Sequence, residues 1–78
     1  MPVTRLGVAG LGWLGESLIK DAVRMPGFEV VAVQDVLVDR ARDIAERYGP
    51  GWCGDRFEGL LALSEVDAVL ICTPNARA

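Results

Sequence analysis

The sequence contains no histidine, and its only lysine is Lys20. General acid–base work at neutral pH usually falls to His, Lys, Tyr or a tuned carboxylate. Lys20 stands among helix-patterned residues well past the first glycine-rich turn, where a solvated charge is expected. Tyr48 falls in the last turn of a second helical pattern, where packing is expected. No residue of the 78 is therefore assigned a catalytic role. Cysteine is scarce as well: Cys53 and Cys72 fit no metal or redox spacing, so no metal site is expected. Two unpaired thiols suit a reducing compartment, and a cytoplasmic protein is expected. No apolar run approaches the ~20 residues of a membrane span. The opening Met1-Pro2-Val3-Thr4-Arg5 leads straight into an apolar segment without a signal-peptide layout. The net charge is −3 and the arginines are scattered, so there is no basic stripe for a nucleic acid. Neither nucleic-acid nor membrane partners are expected.

What is present is the balance of a small soluble domain, 51% hydrophobic and 24% charged. A domain of this size buries a modest share of its surface, so thin stability is expected. Leu6-Gly7-Val8-Ala9 is an apolar run ending in Gly10, the pattern of a strand buried on both faces. From Trp13 to Met25 the spacing turns helical, with Leu14, Leu18, Ala22 and Met25 as the predicted apolar stripe, and Pro26-Gly27 stops it. Phe28 to Val33 is rich in β-branched residues and predicts a second buried strand that ends near Asp35.

Asp39 is the predicted N-cap of the next helix, whose inner face would carry Ala41, Ile44, Ala45 and Tyr48. Gly49 is placed as its C-cap glycine, and Pro50 cannot continue it. Trp52-Cys53 gives a weak third strand. Asp55 to Glu58 has the spacing of a capping box, and Leu60, Leu61 and Leu63 would pack the short helix that follows. Val66 to Cys72 predicts a fourth buried strand. Strand and helix alternate throughout, without repeat or linker. The expected fold class is therefore α/β: a partial doubly wound parallel sheet of about four strands with helices on both faces.

Gly10-Leu11-Gly12-Trp13-Leu14-Gly15 matches G-x-G-x-x-G, and it lies where the dinucleotide fingerprint must lie, directly after the first strand and opening the first helix. Gly10 allows the tight turn, Gly12 lets the backbone approach a pyrophosphate, and Gly15 lets helix and strand pack closely. The N–H groups of Trp13 and Leu14 would point at phosphate oxygens. Asp35 follows at the end of the second strand, where a carboxylate can accept from both hydroxyls of an adenosine ribose. It would also repel a 2′-phosphate, so NAD is favoured over NADP. Arg40 tempers that preference, because a nearby arginine can accommodate the phosphate; its competing reading is an exposed residue in a first helical turn. A Walker loop is excluded by the position of the only lysine, and a G-x-G-x-G methyltransferase spacing is missing.

These stretches, together with Val31-Ala32-Val33-Gln34-Asp35 and above all Val66-Asp67-Ala68-Val69-Leu70-Ile71-Cys72-Thr73-Pro74-Asn75, make the chain resemble a known family. They are similar to the N-terminal domain of the glucose–fructose oxidoreductase, inositol dehydrogenase and rhizopine-catabolism (Gfo/Idh/MocA) family, over essentially the whole chain. The resemblance implies an NAD(P)-dependent oxidoreductase that passes a hydride between nicotinamide and a sugar, polyol or related carbohydrate. It implies that Thr73, Pro74 and Asn75 line the cofactor beside pyrophosphate and ribose. Trp13 would either face the nicotinamide side of the cleft or shield the helix start. The family's catalytic lysine lies in a Glu-Lys-Pro segment one helix and one strand further on, and its substrate domain and usual oligomer interface lie beyond that. Residues 1–78 are therefore expected to be the N-terminal part of a longer protein that forms a homo-oligomer when full length. Alone, the chain is expected to be marginally stable and to associate through an open fourth-strand edge. A non-catalytic dinucleotide-binding module and the front end of another two-domain dehydrogenase are the competing readings. Cys72 is not expected to be a nucleophile in either, since it falls within a predicted buried strand.

Overall fold

The computed structural model describes residues 2–72. Seven elements follow in the expected alternation: β1 (Thr4–Ala9), α1 (Trp13–Ala22), β2 (Phe28–Gln34), α2 (Val38–Tyr48), β3 (Trp52–Gly54), α3 (Phe57–Leu61) and β4 (Ala68–Ile71). All strand pairs are parallel, in the order β3-β2-β1-β4. The order steps outward from β1 on one side and then jumps back across it, which places the C-terminal ends of β1, β2 and β4 around one crevice.

Two apolar layers cover the sheet. On one face Ile19 and Ala22 of α1 and Ala41 and Ile44 of α2 pack over Leu6, Val8, Val30 and Val33. On the other, Leu60 of α3 packs over Ala9 and Ala32. Gly7 makes the second layer possible, because a Cβ there would lie 2.8 Å from Leu60 Cδ1. A bulge serves the same purpose: Leu6 pairs with Val30 but Gly7 with Ala32, so Val31 is the extra residue. Val30 and Val33 thereby face the first layer, while Val31 and Ala32 face the second.

Several local expectations need correction. The buried face of α1 is Gly15, Ile19 and Ala22, not the stripe of Leu14, Leu18 and Met25. Leu14 and Met25 are half-exposed. The helix also ends at Ala22, and the chain tightens there, with Met25 N–H donating to the Ala22 carbonyl; the residue before a proline is steered out of the helical region. The N-cap of α2 is Leu37 rather than Asp39, and that of α3 is Arg56 rather than Asp55, neither with a side-chain cap bond. Gly49 does cap α2 in the left-handed region, at φ 76°. Ala41 and Ile44 line the buried face of α2, with Ala45 and Tyr48 half-buried against the same core.

The fourth strand is the largest departure. It is not buried: Val69 and Leu70 are half-buried, and Ala68 and Ile71 are exposed. Among the described residues no strand lies beyond it, so one edge of its ladder is open. Its tie to β1 is reinforced at both ends. Asp67 N–H donates to the Arg5 carbonyl, and Cys72 N–H donates to that of Ala9. Arg5 returns its own N–H to Asp67 Oδ2 at 2.8 Å, and its guanidinium lies beside the same carboxylate. The backbone N–H of Arg5 first, then its side chain, holds the Asp67 carboxyl below its ordinary value of 3.8. A depressed carboxylate contributes stability that is present above the unfolded pKa and lost as pH falls through the folded one. Asp67→Asn is therefore expected to lower the thermal midpoint at neutral pH, with the difference from the parent vanishing well below about pH 3.8. Melting both proteins across that range checks it.

Candidate functional site

The crevice predicted by the strand order is real: a cleft of about 550 Å³ opens between the glycine turn and the β2–α2 corner. Its near wall is the turn itself. Gly10 has φ 89°, a conformation that favours glycine, and its N–H donates to the Gln34 carbonyl at 2.8 Å, which fastens the turn to β2. Gly15 is demanded by packing, since a Cβ there would fall 1.9 Å from the Gly10 carbonyl oxygen. Gly12 is different. Its φ is −72°, and a Cβ would meet only Arg40 Nη1, at an ordinary 3.5 Å. Nothing in the protein itself requires a glycine at that position. What the missing side chain leaves is open space at the helix start, in the wall of the cleft.

Helix α1 begins at Trp13 with Gly12 as N-cap and no side-chain cap. The Glu16 N–H donates to the Gly12 carbonyl at 3.0 Å and closes the first turn. The N–H groups of Trp13, Leu14 and Gly15 precede it and have no intrahelical acceptor. Three free donors, the positive end of the helix dipole and open space beside them suit an anion. Trp13 is 85% exposed and Leu14 48%, and both stand on the cleft rim.

Asp35 forms the far wall. It is only 6% exposed yet borders the cleft. Oδ2 accepts from Leu11 N–H at 2.7 Å and Oδ1 from Leu37 N–H at 2.8 Å. Arg40 Nη1 approaches Oδ2 at 3.5 Å from the solvent side. An ionised carboxylate has about four acceptor positions, so capacity remains for a ribose hydroxyl. The residues therefore fit a dinucleotide by two independent observations: free donors beside an open Gly12, and a buried acid with spare acceptors one strand away.

Of the predicted site residues, Gly10, Gly12, Trp13, Leu14 and Asp35 come together around this cleft, and Gly15 supports it from behind. Thr73, Pro74 and Asn75 lie outside the described residues, as does any contact they make. Cys72, just before them, reaches the cleft wall. Burial pushes its thiol above its ordinary value, which disfavours a nucleophilic role. Both cysteines are unpaired, and among the described residues no cluster of His, Cys, Asp or Glu could hold a metal.

Sequence reasoning missed three contributors. Gln34 supplies the carbonyl that holds Gly10 and sends its own side-chain amide to the Asp55 carbonyl at 3.0 Å. Val36 and Leu37 form an exposed aliphatic ledge beside Asp35, 79% and 53% accessible. A signal existed: three apolar residues, Val36, Leu37 and Val38, stand directly after the strand-end acid, where a turn would normally be polar.

A parallel sheet in this order, a glycine turn feeding a bare helix start and an acid at the end of the second strand define the dinucleotide-binding class of α/β domains. The oxidoreductase family with an NAD-binding Rossmann fold, Gfo/Idh/MocA, matches residues 4–77, and the chain belongs to it. Scyllo-inositol 2-dehydrogenase (NAD(+)) from Bacillus subtilis is 39% identical over 74 residues, 92% of this chain and 21% of that protein. 4-Carboxy-2-hydroxymuconate-6-semialdehyde dehydrogenase from Sphingobium sp. is 33% identical over 71 residues, 91% of this chain and 22% of that protein. Among solved structures, a 3-ketoreductase from Actinomadura kijaniata in complex with TDP-benzene and NADP superposes with a TM-score of 0.85 at 29% identity, over 95% of this chain and 23% of that one. The chain thus spans about a fifth of the length of the curated relatives it matches.

The two inner glycines should separate experimentally. Gly15→Ala forces a clash with backbone and is expected to cost about 2–3 kcal/mol or more in urea unfolding. Gly12→Ala meets only ordinary contact and is expected to change stability by less than about 1 kcal/mol. Equal losses would show that both glycines serve packing alone.

Proposed function

We propose that residues 1–78 are the N-terminal part of a dinucleotide-binding domain that holds NAD in the cleft between the glycine turn and Asp35. The observation that carries this reading is the buried Asp35 carboxylate, tied to Leu11 and bordering the cleft with acceptor capacity left. The N–H groups of Trp13, Leu14 and Gly15 take the pyrophosphate. Gly12 admits it, and Asp35 accepts from the adenosine ribose. Thr73, Pro74 and Asn75 line the cofactor further along. NAD is preferred to NADP because a 2′-phosphate would meet a carboxylate already desolvated by its surroundings. Arg40 lies 3.5 Å from that carboxylate, and its charge is partly spent on Asp35.

Bound NAD would supply the hydride acceptor. The chain's own residues would bind and orient it, and among the described residues that line the cleft no acid or base is assigned to move a substrate proton. The complete protein is proposed to be an NAD-dependent oxidoreductase acting on a sugar, polyol or related carbohydrate, as the inositol dehydrogenase relative suggests. Its lysine segment and substrate domain belong to the remainder of a longer protein, which is proposed to be cytoplasmic and homo-oligomeric. No described helix is long and apolar enough to cross a membrane.

Calorimetric titration of the chain with NAD⁺ and NADP⁺ tests the reading. NAD⁺ is expected to bind at least about tenfold more tightly, a difference of ~1.4 kcal/mol, and Gly12→Ala is expected to abolish binding while the domain remains folded. Failure of both nucleotides to bind would remove the dinucleotide site. Equal or tighter binding of NADP⁺ would remove the choice of cofactor. The parent activity is tested separately by the reading frame beyond Ala78, which should continue through a helix and a strand into Glu-Lys-Pro.

A further inference from the structure

Glu16 poses an electrostatic problem for the proposed cofactor site. It is the acid in the first turn of α1, the turn whose free N–H groups would face a pyrophosphate. An acid there favours the helix itself, yet an uncompensated carboxylate beside an anion-binding turn opposes the ligand. The Glu16 carboxylate is not free. Its Oε2 accepts from Arg47 Nη1 at 2.6 Å and from the Tyr48 hydroxyl at 3.0 Å, both from the last turn of α2. Arg47 is fixed in turn by Asp43, one helical turn back, which accepts from Nη2 at 2.6 Å. The guanidinium also lies 5.8 Å from the centre of the Tyr48 ring, and the Tyr48 side chain is half-buried against the core. Residues 31 and 32 positions away thus converge on one oxygen of one acid. The network ties α1 to α2 across 31 residues of chain, and because it ends on the acid of the first turn of α1 it also sets the charge beside that turn.

We propose that Arg47 and Tyr48 are positioning residues for dinucleotide binding: they draw the Glu16 carboxylate toward the end of α2 and offset its charge, so that the first turn of α1 meets a pyrophosphate without a bare anion beside it. The inference rests on the dinucleotide reading above. It assigns to α2 a second task at the opposite end from Asp35 and Arg40, the control of charge at the neighbouring helix.

The test measures NAD⁺ affinity by calorimetry at low and at high ionic strength, with folding of each variant checked by circular dichroism. Arg47→Gln removes the cation that offsets Glu16 while the Tyr48 hydroxyl stays, and is expected to weaken NAD⁺ binding about threefold at low salt, an effect that shrinks as salt screens the charge. Glu16→Gln keeps the acceptor for Tyr48 but removes the charge, and is expected not to weaken binding. The double variant is expected to recover what Arg47→Gln loses. Arg42→Gln, an exposed residue on the same helix, controls for net charge and should leave affinity unchanged. A purely structural clamp predicts the reverse pattern, with loss in Glu16→Gln and no recovery in the double variant, and that result overturns the proposal. So does parental affinity in Arg47→Gln. If Arg47→Gln does not fold, Glu16→Gln decides alone: retained affinity supports the proposal and a loss overturns it. Failure of the parent chain to bind NAD⁺ would instead refute the dinucleotide site itself.

Discussion

The Asp35 carboxylate is the point where three parts of the chain meet. Oδ2 takes the N–H of Leu11 in the glycine turn, Oδ1 takes the N–H of Leu37 at the start of α2, and the residue itself ends β2. The Leu11 donor is buried and would otherwise be left without a partner, at a cost of about 1–3 kcal/mol. One buried acid thus fixes the distance between the two walls of the cleft before any ligand arrives. The same anion that organises the protein is the group proposed above to receive a ribose, so on that proposal structure and recognition are not tuned independently at this residue.

The surrounding scaffold explains why that arrangement is rigid. Gly10 is bonded to Gln34, Asp35 N–H to the Gly54 carbonyl, and Cys72 N–H to Ala9, so the C-terminal ends of all four strands are tied to one another around the crevice. Gly15 lets α1 settle directly on the turn, and the buried Ile19 and Ala22 carry that contact into the core. Close backbone approach, rather than a large apolar core, therefore gives this small domain its geometry.

Much of this was legible in the sequence, and the reasons are specific. The four strands and three helices follow from runs of β-branched residues, period changes and Gly/Pro stops, and Gly10 to Gly15 with Asp35 marks the cleft. The helix face of α1 was misread because glycine carries no hydropathy signal. Gly15 anchors the buried side, and a stripe drawn through the leucines, which shares only Ala22 with the buried face, rotates the helix by somewhat less than the ~100° turn of one residue. The cap at Asp39 was misplaced because a carboxylate from outside the helix, Asp35, already takes the N–H of Leu37 at its start. The exposure of Ile71 was invisible for a different reason: an apolar β-branched run looks the same at an edge as at the centre of a sheet. Side-chain meetings such as Glu16 with Arg47 depend on the angle between two helices, which no local pattern encodes.

The strand order also governs how the sheet is assembled. β1 lies second from one edge and pairs with β2 on one side and β4 on the other. Its contact with β2 closes early, but Arg5 must wait for Asp67, 62 residues later in the chain. Loop closure of that span is entropically demanding, and parallel pairing offers no local hairpin to shorten it. On a growing chain, β1 through β3 can associate while one flank of β1, from Leu6 to Ala9, still lacks a neighbour. The interval between synthesis of β1 and arrival of β4 is thus the period in which the buried stretch from Leu6 to Ala9 is most exposed to mispairing, and pairing with β4 brings it to a close.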